Sequence, residues 1–398
     1  MNFGNPPEDL DYSIPLEPMR LRIMGDQQDA LRELLTELVD THHTKLTKPQ
    51  RDDLRSTYRV LLLNVIYNSI SRIYTAIPRG ARLFAKGTYW DRCGLTYKLT
   101  IAALNRLVED GLIHQYPGFF NRVSGLSRLT RIYGSDKLAA RVDLQEIVDS
   151  VDFGWQEDTT SVVLKGFPYA PDDLGPDHPD VSRLREINGF LKEHRWQQRG
   201  PVRIMYKDNP LSGGRVYTRF QNLPKEFRLG MKIDGQEVVE LDYKSNHLMM
   251  LIAMKGGELP PDPYAVINKK AQLSREQVKT FVNVSSGASS EVSARRALGR
   301  KGMTREQFNK IRDAVDASFP GIPLFRGFGT LLQSLEGQIA LDIMVAGARA
   351  GIVVLPVHDS FITAKGNEAW LFNEMVNQWS IHVGDDDKQD LMTKVEKK

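Results

Sequence analysis

Two short strings far apart in the chain, VVELDYKSNH and VVLPVHDSF, each carry a β-branched apolar run up to an aspartate, Asp242 and Asp359. Runs of this length and composition favour buried strands. Val238, Val239 and Leu241 predict a strand that delivers Asp242 to its rim, and Val353, Val354, Leu355 and Val357 predict a second that ends in a turn at His358 and Asp359. As neighbours in one sheet, the two strands would hold a carboxylate pair drawn from distant positions. Such a pair is what two divalent ions need to drive phosphoryl transfer. A single strand-end aspartate more often caps a turn or the next helix, so the meaning of the pair depends on what lies between.

Between them, SREQVKTFVNVSSGASSEVSARRALG sets Arg275 and Lys279 four residues apart, on one face of a predicted helix. Two uses of that face stay open. One is a solvated basic surface with Arg275 paired to Glu276 or Asp262. The other is capture of a triphosphate, favoured by the small and apolar stretch from Phe281 to Ser290 that follows Lys279.

Taken together, these segments resemble a known superfamily, the polymerases related to bacterial DNA polymerase I and to the single-subunit phage and mitochondrial RNA polymerases. The family string DYSxxEL stands here as Asp242-Tyr243-Lys244-Ser245-Asn246-His247-Leu248, and the R-xxx-K helix begins at Arg275 and Lys279. The His-Asp hairpin stands as His358-Asp359, followed by Ser360-Phe361 as in the RNA polymerase branch. Upstream, GRVYTRFQNLPKEFR resembles the segment joining thumb to palm, with Arg215 and Arg228 where basic residues meet template, primer or the acidic palm. The likeness runs from Arg203 to Ala364. It departs from the family at His247, where the DNA polymerases carry a glutamate, at Asn283, where a phenylalanine often stands, and at Gly287, where an ungapped reading puts the tyrosine of Tyr-Gly. The missing ring removes a stacking surface for a base.

The resemblance implies an α+β fold: a right-hand polymerase palm with helical fingers and thumb, preceded by a mostly helical domain. The expected division is an N-terminal helical and winged-helix-like nucleic-acid-binding region over 1–150, a linker over 151–180, a thumb-like segment leading into the palm over 181–235, and a palm with inserted fingers over 236–398. The implied activity is template-directed nucleotidyl transfer. Asp242 and Asp359 would hold two Mg²⁺ ions, with Mn²⁺ able to substitute, and Lys279 and Arg275 would neutralise the triphosphate. His247, Asn283 and Gly287 would border the sugar and base of the nucleotide, His358 would touch the primer terminus, and Arg215 would hold a nucleic-acid backbone. Glu336 is a weaker candidate, in a predicted helix that faces either the template or solvent. Expected partners are nucleoside triphosphates, a DNA template with its primer or nascent strand, and replication proteins. The absent glutamate and the small size point to a ribonucleotide-tolerant, primase-polymerase-like enzyme. A gap-filling DNA polymerase, a single-subunit RNA polymerase and a non-catalytic DNA-binding replication-initiation protein are the alternatives.

The rest of the chain agrees without being decisive. Lys+Arg at 53 against Asp+Glu at 50 leaves a net charge near +3 over 398 residues, too little to mark a nucleic-acid binder by itself. The acidic stretches Asp172 to Asp180 and Asp385 to Asp387 leave the remainder more basic. A single cysteine, Cys93, excludes an intrachain disulfide. No apolar stretch reaches membrane-spanning length and the start is acidic, so the expectation is a cytoplasmic chain, or a phage- or plasmid-encoded one acting in the host cytoplasm, with no membrane partner. In the first half, helices are predicted over Arg20 to Val39 and Asp52 to Tyr74. His42 and His43 lie in a polar loop between them. LTYKLTIAALNRLVEDGLIHQYPG predicts a helix stopped at Gly111 and a strand from Ile113 that returns through Leu129 to Ile132. With Arg122, Arg128 and Arg131 nearby, this looks like a winged helix, used either to contact nucleic acid or only for packing and protein contacts. Val181 to Gln198 predicts a helix whose cations, Arg183, Arg185, Lys192, His194 and Arg195, either flank a duplex or meet solvent.

Overall fold

The computed structural model describes residues 2–17, 22–23, 31–42, 46–121, 126–152, 162–164, 178–207, 209, 212–384 and 395–398. They form a mixed α+β architecture of helices and several small sheets. Arg122, His43, the acidic run 385–387 and most of the proline- and aspartate-rich stretch before residue 178 lie outside the described residues.

The first half is built on a four-stranded sheet. Ser13–Pro15 runs parallel to Tyr74–Ile77, which is antiparallel to Thr130–Gly134, which in turn is antiparallel to Ile113–Tyr116. The helix and hairpin expected around Gly111 are present: Tyr97–Glu109 ends just before Gly111, whose φ of +68° favours glycine, and Ile113 pairs with Gly134. The preceding long helix differs from expectation at both ends, spanning Lys48–Ile70. Thr47 and Gln50 close a capping box that starts it early, and Tyr74 belongs to the next strand, with its hydroxyl donating to the Pro7 carbonyl at 2.7 Å. Nor does a helix reach back to Arg20. Arg22–Ile23 is a short strand paired with Val151–Asp152, and the helix that follows is Arg32–Asp40.

In the two predicted basic surfaces some of the charged side chains are used within the fold, while Arg185 and Arg195 are exposed. Arg131 is only 9% exposed and donates to the carbonyls of Leu10 and Leu129, fastening the N-terminal segment to the sheet. Burial holds its pKa below the usual arginine value. Arg128 lies 5.2 Å from the Phe119 ring centroid on a small hairpin, Phe119–Phe120 with Ser127–Arg128. The helix expected over Val181 to Gln198 begins earlier and ends sooner, at Pro179–Leu191, because His178 accepts from the Asp180 amide and Pro179 suits the first turn. Arg183 in it bridges buried Asp180 at 2.5 Å and Asp342 at 2.7 Å, and His194 binds Asp234 at 2.7 Å. Those two side chains join elements of the fold to each other.

The second half centres on a five-stranded sheet. Gln236–Tyr243 lies between Lys232–Ile233 and Val395–Lys397 on one side and Ser360–Ala364 on the other, and Leu355–Val357 completes the hairpin. Strand alternation sends Val239, Leu241 and Tyr243 to one face, where the Tyr243 hydroxyl donates to the Met375 carbonyl of helix Glu368–Val383 at 2.6 Å. Glu240 and Asp242 share the other face. The expected neighbouring strands are therefore present, in antiparallel register.

The long helix Gly329–Ala350 crosses strand Gly213–Tyr217 at very short range. A Cβ on Gly337 would stand 1.7 Å from the Gly214 carbonyl oxygen. Only a glycine permits this approach, and it carries Glu336, the preceding residue, up to Arg215, the residue after Gly214. Among the described residues no helix is long and apolar enough to cross a membrane.

Gly337→Ala must push backbone from backbone. We expect it to lose about 3 kcal/mol of stability in urea unfolding, whereas Gly189→Ala, in an exposed helical position with open space around its Cβ, should be neutral or gain up to about 1 kcal/mol. Equal midpoints for the two variants would contradict the close crossing.

Candidate functional site

A cleft of about 880 Å³ opens over the end of strand Gln236–Tyr243. Asp242 and Asp359 both line it, although more than a hundred residues separate them. The cause is register. Asp242 stands opposite Ser360, so the turn residue before Ser360, Asp359, falls at the same rim. Both approaches use left-handed backbone at residues other than glycine, His358 at φ +58° and Ser245 at φ +53°. Such strain tends to gather at functional sites.

The carboxylates are electrostatically uncomfortable. Burial, followed by the charge of Asp359, pushes the Asp242 pKa up to about 7. Asp359 is also raised, by burial and then by Glu336. One Asp242 oxygen, Oδ1, is buried without a hydrogen-bond partner. The other lies 3.3 Å from the Lys398 ammonium. Beneath them Glu240 is fully buried but well satisfied, because Arg228 donates to both of its oxygens, at 3.0 and 3.1 Å, and the Ser360 hydroxyl donates at 2.7 Å. Burial would raise the Glu240 pKa, yet these partners hold it below the ordinary carboxylate range. Lys398 shows the converse. Burial opposes its charge, but Asp242 and Glu240 outweigh that and hold its pKa above the usual lysine value.

Helix Arg275–Gly287 also contributes to the cleft. It starts at a capping box between Ser274 and Gln277 and buries Val278, Phe281, Val282 and Ser285. Arg275, Lys279, Asn283 and Gly287, each four residues from the next, all line the cleft. Lys279 is exposed and makes no ion pair among the described residues. Arg275 pairs loosely with Asp262, 3.4 Å away and with 56% of its side chain exposed, and its guanidinium lies 5.3 Å from the Tyr264 ring centroid. The solvated pairing left open for Arg275 is therefore present, and it leaves Lys279 free. Tyr264, from helix Pro263–Ala271, gives the cleft an aromatic that the motif pattern did not indicate.

Other predicted residues are engaged differently from expectation. His247 lines the cleft, with Nε2 2.7 Å from Glu336 Oε2. Glu336 also lines the cleft; at 5% exposure it is nearly closed off from solvent, and it anchors the histidine. Arg215 also lines the cleft, with Nε 3.5 Å from Glu336 Oε1, a charge contact that leaves Nε–H without an aligned hydrogen bond. Arg228 serves Glu240 instead of the cleft. His358 is not among the lining residues. Its Nδ1 is buried without a hydrogen-bond partner, and burial and then the Arg215 charge keep its pKa below the ordinary imidazole value.

Sequence reasoning missed Glu240, Tyr264 and Lys398. Strand alternation offered a signal for Glu240, two residues before Asp242. No local pattern marked Lys398, which reaches the site because Val395–Lys397 pairs with Leu241–Tyr243.

Among the described residues no group of three or more His, Cys, Asp and Glu is arranged to hold a metal ion. Two carboxylates in a polar cleft, one with an unpartnered oxygen, fit a cation such as Mg²⁺. That ion keeps several waters and is often held by one or two carboxylates plus substrate phosphates. No protein-family model and no curated protein matches the chain.

The Glu240–Arg228 pair has a direct consequence for stability. Arg228→Ala removes the two-pronged partner of a fully buried carboxylate, which keeps only the Ser360 hydroxyl and the Lys398 ammonium, and should cost about 2–3 kcal/mol in denaturant unfolding, while a double variant Arg228→Met with Glu240→Gln should recover most of that loss. A single-variant cost under about 1 kcal/mol, the level of a surface pair, would contradict the role assigned to Arg228.

Proposed function

We propose that this chain is a template-directed nucleotidyltransferase related in design to the polymerase I and single-subunit RNA polymerase superfamily, ribonucleotide-tolerant and primase-polymerase-like. In this reading the five-stranded sheet is the palm and helix Arg275–Gly287 belongs to the fingers. One observation carries it: a carboxylate pair from two distant strands and a four-residue stripe bearing Arg275 and Lys279 line a single cleft. Carboxylates and helix-borne cations lining one cleft match a metal–triphosphate substrate.

Asp242 and Asp359 would hold divalent ions, which when bound lower the pKa of an attacking 3′-hydroxyl and offset charge on the triphosphate. Lys279, exposed and without an ion pair among the described residues, is available to bind phosphate oxygens. Arg275 can add a second charge-assisted contact by exchanging Asp262 for phosphate, a modest cost for so exposed a pair. Glu336 orients His247 toward the same space, and Asn283 presents an amide from the helix stripe. The Arg275 guanidinium, 5.3 Å from the ring centroid of the buried Tyr264, supplies a flat group in the same cleft. Arg215, part-exposed in the same cleft and tied to Glu336 by charge alone, would bring its positive charge to a nucleic-acid phosphate.

Incorporation of labelled nucleotides on primed, unprimed and absent templates tests the reading directly. Asp242→Asn or Asp359→Asn should abolish synthesis by several powers of ten, the scale expected when a metal clamp is lost, with the fold retained by circular dichroism. Lys279→Ala should lower kcat as well as raise KM, because its contact strengthens as pyrophosphate leaves. Synthesis by either aspartate variant at a tenth of the wild-type rate would exclude that residue from the chemistry.

The sugar preference follows from His247. An imidazole held by Glu336 leaves no glutamate wall against a 2′-hydroxyl, so ATP should be used at least as well as dATP opposite the same template base. His247→Glu should shift the kcat/KM ratio toward dATP, both through steric overlap and because it faces Glu336 with a second carboxylate. A wild-type preference for dATP of about a hundredfold, well beyond what one missing contact supplies, would overturn the ribonucleotide-tolerant reading.

A further inference from the structure

Lys398 occupies the carboxylate face of the site, and it is delivered there by strand pairing. Val395–Lys397 runs antiparallel to Leu241–Tyr243, and the Lys398 amide donates to the Glu240 carbonyl at 2.9 Å. Its ammonium then lies 3.1 Å from Glu240 Oε1 and 3.3 Å from Asp242 Oδ2. Glu240 already has a full counter-charge in the two-pronged contact with Arg228, supplemented by the Ser360 hydroxyl. The charge that Lys398 adds therefore answers chiefly to Asp242. That aspartate still offers Oδ1, buried and without a hydrogen-bond partner. An ion that attaches to Asp242 meets an ammonium on the same carboxylate.

We propose that Lys398 is a built-in counter-ion of the metal-free protein, occupying Asp242 and competing with a divalent cation for it, so that this side chain sets the metal concentration at which the site fills. The inference rests on the reading of Asp242 and Asp359 as metal ligands. Two aspartates whose charges repel gain from any nearby cation, and a lysine supplies one when no ion is present. A single positive charge in contact with only one of them neutralises the pair incompletely, which leaves a doubly charged ion the stronger ligand. Once that ion is bound, the ammonium repels it and weakens its hold. A lysine that merely oriented the carboxylate by hydrogen bonding would act in the opposite direction, since removing such a partner weakens metal affinity.

The test is Mn²⁺ binding to the full chain, read by loss of the free-ion electron paramagnetic resonance signal, so that it does not depend on activity. Lys398→Met keeps the apolar stem and the strand pairing but removes the charge. Its dissociation constant for Mn²⁺ should fall by about tenfold, the scale expected when one like charge is removed from beside a cation site. Lys398→Arg should stay close to wild type, and Asp242→Asn should lose the site. A constant for Lys398→Met that equals or exceeds the wild-type value, with binding still lost in Asp242→Asn, overturns the competition while leaving the metal site standing. Binding that persists unchanged in both Asp242→Asn and Asp359→Asn overturns the metal reading, and this inference with it.

Discussion

The antiparallel register between Gln236–Tyr243 and Ser360–Ala364 is the constraint on which the site depends. With Asp242 opposite Ser360, the hairpin turn places Asp359 at the same rim, and the Ser360 hydroxyl reaches the buried Glu240. A slip of one residue would send Asp242 and Glu240 into the apolar layer beneath Tyr243 and turn Val239 and Leu241 toward the cleft. The penalty for burying two carboxylates among apolar side chains protects the register. The feature that makes the cleft polar therefore also keeps the sheet in one alignment.

Charge is distributed in that cleft by degree of satisfaction. Glu240, deepest, has Arg228 and Ser360 and belongs to the scaffold. Glu336, also buried, has His247 at hydrogen-bond distance and Arg215 at the edge of charge contact. Asp242 and Asp359 are left least satisfied, with raised pKa values and one bare oxygen. A fold that balances its scaffold carboxylates and leaves two neighbouring ones unbalanced has concentrated its electrostatic strain where an external cation can relieve it.

Close backbone approach performs the remaining positioning. The contact of Gly337 with Gly214 brings a helix and a strand near enough for Glu336, Arg215 and His247 to form one group. In the first half of the chain the corresponding polar contacts are structural. Arg131 holds the N-terminal segment, and Arg183 ties helix Pro179–Leu191 to helix Gly329–Ala350 through Asp342. Arginines that look like a nucleic-acid surface in the sequence are used there to join elements.

The sequence by itself determined the parts whose signal is local. Apolar β-branched runs marked the two aspartate strands, four-residue spacing marked the shared face of Arg275 and Lys279, and Gly111 marked the stop before a returning strand. Helix ends were less legible, since capping at Thr47 and His178 and the strand at Tyr74 are set by neighbours that periodicity does not register. The tertiary structure alone decided which charged residues are free. Arg131 and Arg183 read as exposed cations and became partners within the fold, Arg228 took the acidic partner that the resemblance had left open, Glu336 read as facing template or solvent and became the anchor of His247, and Lys398 carried no signal until a strand far along the chain paired beside Asp242. The physical reason is that periodicity follows from backbone geometry within one element, whereas the partner of a charge is chosen by desolvation across elements, and no window of sequence contains both.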